Sequence, residues 1–410
     1  MQTNPIGAWG LFRWVMVRSG YRNTLFSDRM NGGNGPNADK EHPMAFSLPP
    51  YHEPDFGKQY YQSAPDVCWA VCDQDGVAPA GFHSTSMHPE YYKIDGQWVL
   101  LRDIMMDDVV RLTFSGELEV LPSRDLRVGD RVALGRTDHG EDGILVWSRG
   151  FEDDTESSGD VFSFRQGRSR ETSYARDYDR LIDLLKYEKA TGGNVLWVMG
   201  PAFTFDAGAR HAMQRMIEEG YVQGVMGGNA LATHDLEGAV LHTALGQDIY
   251  TQESMPQGHY NHIDIINEVR RSGSIPQFIE DHNVQDGIMY ALVKCGVPFV
   301  LAGSIRDDGP LPEVLGDAYQ SQDAMYELIR KSTTIICMAT MLHSIATGNL
   351  AASYCVTSDG VVRPKYFYAV DATEFAVNKL RDRGSLSATT IVTNARDFIN
   401  NLARGVGALD

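Results

Sequence analysis

The chain has 410 residues, of which 43% are apolar and 22% are charged, a composition typical of a globular protein rather than of a disordered or fibrous one. Acidic side chains outnumber basic ones by 54 to 36, and the net charge of −18 argues against a nucleic-acid or anionic-membrane surface. No window approaches the roughly 18 consecutive apolar residues of a membrane helix. We therefore expect a small-molecule enzyme with no nucleic-acid partner and no membrane partner.

The N-terminal apolar run and the cysteines indicate the cellular compartment of the protein. The run from Ala8 to Val17 is interrupted by Arg13, which does not fit a secretory signal. The five cysteines are few, odd in number and irregularly spaced, which indicates a reduced, cytoplasmic protein. Cys68 and Cys72 have a spacing that two zinc ligands can share, but no second pair follows, so we expect no metal.

The first part of the chain divides into an irregular arm, a small β-rich domain and a linker. Residues 1–65 contain the tract NGGNGPN and scattered prolines, which favour irregular backbone. In residues 66–150, TyrTyrLysIle before Asp95-Gly96 predicts a hairpin with the strand GlnTrpValLeuLeu. Further strands are predicted at LeuThrPhe, GluLeuGluValLeu, 131–134 and 143–147. The acidic stretch that opens residues 151–177 indicates an exposed linker.

Residues 178–410 alternate apolar strands with amphipathic helices, which predicts an α/β fold with a doubly wound, mostly parallel sheet covered on both faces. The predicted strands are 194–199, 224–226, 297–302, 333–339, 366–370 and 389–392. The predicted helices are 209–219, 262–271, 318–331, 375–381 and 395–403. Sheets of this kind bind ligands outside the carboxyl ends of their strands.

Six turns rich in glycine, small or polar residues follow the predicted strands and form the candidate ligand site. They are GPAF (200–203), GGNALATHDLE (227–237), GSIRDDGPLP (303–312), ATMLH (339–343), VDATE (370–374) and VTNAR (392–396). Each one alone also fits an ordinary turn between a strand and a helix. Because all six fall at one edge of the predicted sheet, however, a shared binding function is favoured.

Two of these turns suit a dinucleotide. The glycines at 227–228 allow close approach to a pyrophosphate, and a helix N-terminus after Asn229 and Ala230 supplies N–H donors, although the GxGxxG motif is absent. Asp371 either accepts hydrogen bonds from a ribose diol or caps a following helix. Glu374 nearby would repel a 2′-phosphate, which favours NAD over NADP.

The turn after strand 297–302 carries three consecutive charges, Arg306, Asp307 and Asp308. An arginine here can hold a substrate carboxylate, and a carboxylate can bind an amine or act as a base. Alternatively, the three charges pair with one another to hold the turn. Lys294, just before the strand, is either a partly buried lysine with a lowered pKa suited to proton transfer or a solvated residue at a helix end.

Histidines near these turns are the remaining acid–base candidates. They are His234, beside Asp235, and His259, His262 and His343. The spacing of His259 and His262 also suits a metal, but no third ligand is evident, so hydrogen bonding or catalysis is favoured. The chain contains no GxSxG elbow and no GxxxxGK[ST] loop, and therefore gives no support to a serine hydrolase or a P-loop NTPase.

Several long segments resemble one known family. They are GGNALATHDLE, GHYNHIDIINEVRRSGSI (258–275), GIMY (287–290), VPFVLAGSIRDDGPLPEV (297–314), ATMLHSIATGN (339–349), KLRDRGS (379–385), DGVAPAGFHSTSMHPEYYKIDGQW (75–98) and MMDDVV (105–110). They closely resemble the lysine-oxoglutarate reductase/saccharopine-dehydrogenase-like (LOR/SDH-like) family. That family includes the archaeal-type ornithine cyclodeaminases and the C-terminal part of cyanobacterial arginine-degrading bifunctional enzymes. The resemblance covers roughly residues 66–410.

The resemblance implies a deoxyhypusine-synthase-like NAD-binding fold, tightly bound NAD and a homo-oligomer. The positions that match the family's NAD contacts are Asn229, Ala230, Asp308, Thr340, Met341, Leu342, His343 and Asp371. At the last strand end, where the family tends to have Thr-Asp-Val, this chain has Thr393, Asn394 and Ala395, so an amide stands where a carboxylate is expected to meet the cofactor. The N-terminal segment also lacks a recognisable copy of the family's opening α/β region.

The resemblance also implies a reaction in which NAD is recycled. In an ornithine cyclodeaminase a hydride leaves Cα, the δ-amine attacks the α-imine, ammonia departs, and the cyclic imine recovers the hydride to give proline. We assign Arg306 to the substrate carboxylate, Asp307 or Glu237 to the distal amine, and Lys294 or His259 to proton transfer. The substrate is ornithine or another basic or diamino acid. Competing hypotheses are an NAD-dependent amino-acid dehydrogenase or imine reductase with net redox change, and a non-catalytic NAD-binding protein.

Overall fold

The computed structural model describes residues 46–151, 175–307, 309–373 and 388–410, apart from the side chains of residues 175, 176 and 388. Most of the predicted arm, most of the predicted linker and the predicted helix 375–381 lie outside the described residues, as do Asp308 and Glu374. The described residues form an antiparallel β-rich part followed by a parallel α/β part. None of their helices is both long and apolar enough to cross a membrane.

Seven antiparallel strands make up the two sheets of the β-rich part. They are β1 (Cys68–Val71), β2 (Glu90–Ile94), β3 (Gln97–Leu100), β4 (Val109–Leu112), β5 (Leu118–Leu121), β6 (Arg131–Leu134) and β7 (Ile144–Val146). The four-stranded sheet has the order β1-β6-β4-β5 and the three-stranded sheet the order β3-β2-β7. The predicted hairpin is confirmed, since β2 and β3 pair across Asp95 and Gly96, whose φ angles are 50° and 78°. The strand predicted at LeuThrPhe is wrong in position: β4 ends at Leu112, and Phe114 is fully exposed in the following turn.

The described end of the arm packs on this β-rich part. Its short helix α1 (Gln59–Ser63) ends close to β2, where the Lys93 ammonium donates hydrogen bonds of 2.6–3.1 Å to the backbone carbonyls of residues 61, 62 and 64. Phe56 stacks on Trp98 with the ring centroids 5.3 Å apart. The buried Lys93 thus donates hydrogen bonds to carbonyl groups that have no donor within the helix.

Seven parallel strands make up the sheet of the α/β part. They are β8 (Val195–Met199), β9 (Gly224–Gly228), β12 (Phe299–Ala302), β13 (Val314–Leu315), β14 (Thr334–Met338), β17 (Tyr366–Asp371) and β18 (Ala388–Val392), and their order is β13-β12-β9-β8-β14-β17-β18. Two short hairpins, β10 (Thr243–Ala244) with β11 (Gln247–Asp248) and β15 (Tyr354–Val356) with β16 (Val362–Pro364), lie outside this sheet. The predicted doubly wound parallel sheet is confirmed. β13 was not predicted, because two residues carry no periodic pattern.

Helices cover both faces of the sheet. They are α2 (Ala175–Thr191), α3 (Ala207–Glu218), α4 (Asn229–Leu241), α5 (Asn261–Ser272), α6 (Ile275–Asp281), α7 (Ile288–Cys295), α8 (Ala318–Ile329), α9 (Met341–Leu350) and α10 (Ala395–Val406). Alternate residues of β8 enter two different cores. Trp197 packs with the cluster that includes α3, α7 and α10, whereas Leu196 and Val198 pack with α8, α9 and Met105 of the β-rich part. Strands buried on both faces explain the continuous apolar runs of the sequence.

Two helices occupy segments that the sequence predicted as turns. α4 begins at Asn229 and α9 at Met341, directly after the sheet strands that precede them. Every residue of α4 from Leu231 to Gly238 is buried, so the helix has no polar face and no amphipathic period. The helix N-terminus predicted after Asn229 and Ala230 is confirmed to within two residues, whereas the turn prediction for 339–343 is wrong beyond its first residues.

The hairpin β15–β16 joins the two parts of the fold. The Tyr354 hydroxyl donates a hydrogen bond of 2.6 Å to the Leu101 carbonyl, and Tyr354 belongs to the buried cluster of the β-rich part. From β16, Arg363 binds Glu188 of α2 through two hydrogen bonds of 3.0 and 2.6 Å, and the Thr334 hydroxyl donates to the same carboxylate at 2.7 Å. A buried, bidentate ion pair of this kind fixes the hairpin relative to the sheet.

Candidate functional site

The carboxyl ends of the parallel strands form one edge of the sheet, and all six predicted turns lie along it. They follow β8, β9, β12, β14, β17 and β18. From β8 the chain adds β9, β12 and β13 on one side, and from β14 it adds β17 and β18 on the other. The strand order therefore reverses between β8 and β14, which is where a doubly wound sheet opens a crevice for a ligand.

The backbones at this reversal point approach each other very closely. A Cβ atom on Gly200, which follows β8, would stand 1.9 Å from the carbonyl oxygen of Ala339, which follows β14. Ala339 itself has a φ of 54°, in the left-handed region that non-glycine residues rarely adopt. Only glycine therefore fits at position 200, and the strained residue at 339 turns the chain sharply into α9.

Two helix N-termini at the edge have no side-chain cap. α4 is preceded by Gly228 and α9 by Thr340, and neither residue caps the backbone N–H groups of its helix. The Thr340 hydroxyl instead lies 3.2 Å from Nδ1 of His343 and hydrogen-bonds it. Uncapped N–H groups together with the helix dipole favour a negatively charged ligand such as a pyrophosphate.

His343 lies in the first turn of α9, against Gly228. A Cβ atom on Gly228 would approach Cε1 of His343 to 3.1 Å, so the glycine leaves room for the imidazole. Burial lowers the pKa of His343, and the Asp307 carboxylate offsets part of this effect. A neutral imidazole at this position can hydrogen-bond a ligand without adding a positive charge.

The charged turn after β12 is held from one side by Asn229. The Asn229 amide nitrogen donates to the Gly309 carbonyl at 3.1 Å, and its oxygen accepts from the Leu311 N–H at 3.0 Å. Within the turn, the Asp307 carboxylate accepts hydrogen bonds from the backbone and hydroxyl of Ser304. Arg306 is exposed and makes no ion pair with another described residue. Asp308, a predicted cofactor contact, lies outside the described residues.

The remaining predicted cofactor contacts are spread along the same edge. Asp371 ends β17 half buried and accepts hydrogen bonds from the backbone and hydroxyl of Thr373. Asn394 caps α10, since its side-chain oxygen accepts from the Asp397 N–H at 2.8 Å. This local role accounts for an amide at 394, because asparagine is a strong N-cap residue. Ala395 begins the helix, Ala230 lies in the first turn of α4, and Met341 and Leu342 are exposed in the first turn of α9.

The middle of α4 also lies at the carboxyl edge, because Asp235 is tied to two helices that begin there. The Asp235 carboxylate accepts from Arg210 of α3 at 2.8 Å and from the N–H groups of Ile288 and Met289, the first residues of α7, at 3.0 and 2.7 Å. Arg210 also donates to Asp286 at 2.7 Å. Asp235 is thus a buried structural anchor that completes the N-terminus of α7.

On either side of Asp235 along α4, His234 and Glu237 form a buried pair. Nδ1 of His234 lies 2.8 Å from Oε2 of Glu237, and both side chains are more than 90% buried. The other Glu237 oxygen accepts from the Thr243 hydroxyl at 2.7 Å and from the Gly246 N–H at 3.2 Å. Burial opposes ionisation of Glu237, but these donors and His234 together hold its pKa below the usual value.

Two aromatic rings surround the His234 imidazole near the carboxyl edge of the sheet. The Phe205 ring, from the segment after β8, lies 5.6 Å away, and the His262 ring of α5 lies 5.9 Å away. With Nδ1 directed at a carboxylate, Nε2 of His234 is left to accept a proton. The sequence put His234 among the acid–base candidates but did not reveal its link to Glu237, because the i, i+3 spacing has meaning only on a helix.

Of the two predicted proton-transfer residues, Lys294 lies away from this edge. It lies near the end of α7, next to the amino end of β12 at the opposite edge of the sheet, and is exposed. Its contact with Tyr290 raises the lysine pKa, so the alternative of a solvated residue at a helix end holds, and that of a partly buried lysine with a lowered pKa is wrong. His259 is exposed and lies against the Tyr260 ring, with the centroids 4.2 Å apart. Among the described residues, no group of three or more His, Cys, Asp or Glu side chains is arranged to hold a metal ion.

The edge between β8 and β14 fits a dinucleotide. The close backbone approach at Gly200 and the packing of His343 against Gly228 bring the uncapped N-termini of α4 and α9 together at this edge. Asp371, with its carboxylate at the end of a neighbouring strand, is placed as the ribose-binding acid of such folds. The site is therefore suited to NAD.

Comparisons with known proteins agree with this geometry. The family model for "Arginine dihydrolase ArgZ-like, C-terminal, Rossmann fold" matches residues 180–402. Ornithine cyclodeaminase of Methanocaldococcus jannaschii is 35% identical over 346 residues, which are 82% of this chain and 77% of that protein. The bifunctional arginine dihydrolase/ornithine cyclodeaminase AgrE of a Nostoc species is 33% identical over 82% of this chain and 46% of that protein.

Solved structures give the same relationship. The crystal structure of a putative LOR/SDH protein from Methanococcus maripaludis matches with a TM-score of 0.74 and 33% identity, over 84% of this chain and 98% of that chain. The ternary complex of AgrE with ornithine and NAD+ matches with a TM-score of 0.52 and 31% identity, over 84% of this chain and 46% of that chain. The resemblance seen in the sequence is therefore confirmed, and the chain belongs to the LOR/SDH-like family of archaeal-type ornithine cyclodeaminases and ArgZ-like C-terminal domains.

Proposed function

We propose that this protein is an NAD-dependent cyclodeaminase that converts ornithine to proline and ammonia. The observation that carries the proposal is the pairing of two features at one edge of the sheet. Uncapped helix N-termini suited to NAD lie near a buried histidine–carboxylate pair suited to proton transfer. Ornithine cyclodeaminases with 35% identity, and AgrE in complex with ornithine and NAD+, support the choice of substrate and cofactor.

The reaction releases ammonia without net oxidation. NAD held at the uncapped N-termini of α4 and α9 would supply the redox chemistry, taking up a hydride from Cα of ornithine and giving it back after ring closure. The δ-amine attacks the α-imine carbon, the C–N bond to the former α-amine breaks, and ammonia carries that nitrogen away. Protons must leave the α-ammonium and δ-ammonium groups and return to the departing nitrogen, so the protein has to supply a group that both accepts and donates protons.

His234 is the residue that we assign to this proton transfer. Its Nδ1 faces the Glu237 carboxylate at 2.8 Å, which orients the ring and leaves Nε2 as the basic nitrogen. Glu237 is fully buried, and both of its oxygens accept hydrogen bonds, so its contacts favour a positioning role over direct binding of the substrate amine. His234 therefore replaces Lys294 and His259 in our assignment.

The charged turn after β12 is the proposed anchor for the substrate. The exposed Arg306 guanidinium, without an ion pair to any described residue, is available to a substrate carboxylate. Asp307 lies half buried close to His343 and is our candidate for the distal amine. Asn229 acts as a positioning residue. It is the first residue of α4, and its side chain holds the charged turn through hydrogen bonds to Gly309 and Leu311.

The test is to incubate the purified, NAD-loaded protein with ornithine and to measure ammonia, proline and free NADH together. The proposal predicts equal amounts of ammonia and proline and no accumulation of NADH. Accumulation of NADH in proportion to substrate consumed would instead establish an amino-acid dehydrogenase. Lysine and 2,4-diaminobutyrate serve as comparison substrates, because one methylene changes transition-state binding by only about 1–3 kcal/mol.

We also propose that the enzyme works in the cytoplasm as a homo-oligomer. All five cysteines lie in the described residues and none forms a disulfide, as is usual in a reducing compartment. Ile305 and Leu342 are large apolar side chains that are 106% and 67% exposed at the carboxyl edge, where a second subunit would cover them. Light scattering should give a mass above that of one chain, and a mass equal to one chain would contradict the oligomer.

A further inference from the structure

A cavity of about 730 Å³ lies between the β-rich part and the sheet face covered by α8 and α9. Its walls come from residues 105–108 and 120–124 of the β-rich part, from α8 and from the last residues of α9. Met105 in its wall packs in the core on this face of the sheet, so the cavity is separate from the carboxyl edge, where α9 begins. Ligand cavities are common at junctions between two parts of a fold.

Two carboxylates of the cavity wall make no ion pair with a described residue, although the Arg124 guanidinium lies close enough to Asp108 to act on its pKa. Asp323 accepts from Arg124 at 2.7 Å, and Glu327 accepts from Arg330 at 2.7 Å. Asp107 and Asp108 make no ion pair with any residue that the structure describes. Asp108 is only 8% exposed, and its Oδ2 has no hydrogen-bond partner among the described residues. A buried carboxylate oxygen without a partner costs free energy unless a ligand completes it.

Thr85 holds the backbone that carries these two carboxylates. Its N–H donates to the Asp108 carbonyl at 3.0 Å, its carbonyl accepts from the Asp107 N–H at 2.9 Å, and its hydroxyl oxygen accepts from the Asp108 N–H at 3.0 Å. Asp107 has a φ of 65°, so the loop is held in a conformation that is rare for a residue with a side chain. The segments 75–98 and 105–110, which carried part of the family resemblance but contribute nothing to the carboxyl edge, meet at this point.

We propose that the cavity binds a small aliphatic ammonium compound, a diamine or a basic amino acid, whose cationic group pairs with Asp107 and Asp108. Met105 and Leu350 in the wall provide apolar surface for the aliphatic chain. Burial raises the pKa of Asp108 to about 7, and a bound cation would favour its ionised form. Because Arg124 and Asp323 join the two walls, a ligand here adds contacts across the same junction. This proposal does not depend on the activity proposed above.

Calorimetric titration of the NAD-loaded protein with 1,5-diaminopentane tests the proposal. We expect saturable binding to the wild type, at least tenfold weaker binding to Asp108→Asn, and no binding of the neutral analogue 1-pentanol. Ala324→Leu, on the α8 wall of the cavity, should also weaken binding, because the larger side chain fills the cavity. Leucine is a good helix former, so α8 should be preserved. The matched control Asp73→Asn, an exposed carboxylate of the β-rich part, should bind as the wild type does.

The same titration with L-lysine distinguishes a diamine from a basic amino acid as the source of the cation. Tighter binding of lysine than of the diamine would mean that Arg124 takes a carboxylate and that the ligand is a basic amino acid. Tighter binding of the diamine would identify a diamine site. Absence of saturable binding to the wild type, or equal affinities in the wild type, Asp108→Asn and Ala324→Leu, would overturn the proposal. Ornithine turnover without diamine should stay within twofold of wild type in Asp108→Asn, which separates a failed site from a failed fold.

Discussion

At the scale of single residues, Glu237 shows how contacts decide between roles that the sequence leaves open. The sequence offered it as an anchor for the substrate's distal amine, but in the structure it is buried and bound to His234, Thr243 and the backbone of the β10–β11 hairpin. These donors are contributed by residues up to nine positions away and meet only when α4 is a helix. A charged residue in a short motif therefore identifies a polar cluster without revealing which member meets the substrate.

The first prediction concerns this pair. His234→Ala should lower kcat by about 100- to 10,000-fold, because it removes the group that moves protons. Added imidazole should restore part of the activity. Glu237→Gln should lower kcat less, by about 10- to 100-fold, because the ring remains but is no longer oriented by a carboxylate. Both variants should retain NAD, which is measured by denaturing the protein and quantifying the released nucleotide.

The matched control is His242→Ala, a histidine at the end of α4 outside the pair. Its turnover should stay within a few-fold of the wild type. An unchanged kcat in His234→Ala, or a loss that imidazole fails to restore while NAD is retained, would count against the assignment of His234.

A second prediction follows from Asp108, whose pKa burial raises from 3.8 to about 7 in the folded protein despite the nearby Arg124 guanidinium. Between these values the folded state binds a proton that the unfolded state has released, so this group lowers the free energy of unfolding as the pH rises from about 4 to 7. Asp108→Asn cannot lose that proton. Relative to the wild type, the variant should gain about 2 kcal/mol between pH 5.5 and 8. Urea unfolding at both pH values measures the difference in the free energy of unfolding between variant and wild type. For Asp73→Asn this difference should not change with pH.

At the scale of elements, the sequence predicted the strands of the parallel sheet well and the helices at its edge poorly. The central strands β8, β14 and β17 are buried on both faces along most of their length and show apolar runs, which a sequence reveals directly. The glycines before Asn229 indicated where α4 begins, but the length of α4 and the whole of α9 were missed, because these helices contain small, polar and buried residues rather than an amphipathic stripe. The position of the site and the N-terminus of α4 could thus be predicted from the sequence, whereas the uncapped N-terminus of α9 could not.

The third prediction tests how tightly the elements meet at the reversal point. Gly200→Ala places a methyl group against the Ala339 carbonyl, which is backbone and cannot turn aside. We expect a loss of at least about 2 kcal/mol in the free energy of unfolding and loss of bound NAD. The control is Gly192→Ala, at a glycine that follows α2 and has open space around its Cα. This variant should retain NAD, although the φ of 74° at this position makes alanine mildly destabilising. Retention of NAD and stability in Gly200→Ala would mean that the two turns can separate.

At the scale of the whole molecule, contacts between distant parts of the chain were beyond the reach of sequence patterns. The hairpin β15–β16 returns to the β-rich part, where Tyr354 donates to Leu101 across 253 residues. The buried pair between Arg363 and Glu188 is separated by 175 residues. Neither contact has a local signal, because hydrophobic period and turn residues report only neighbours along the chain. The same holds for the cavity between the β-rich part and α8, whose walls come from four separate segments.

The central claim is that the hydride removed from Cα of ornithine passes to bound NAD and returns to the same carbon. The most direct measurement is turnover of ornithine deuterated at Cα, followed by mass spectrometry of proline and of the nucleotide released from the protein. The account predicts that proline keeps the deuterium at Cα, that ammonia is released in equal amount and that free NADH does not accumulate. Deuterium collected in free NADH, with a keto acid or an unreduced cyclic imine as product, would contradict it.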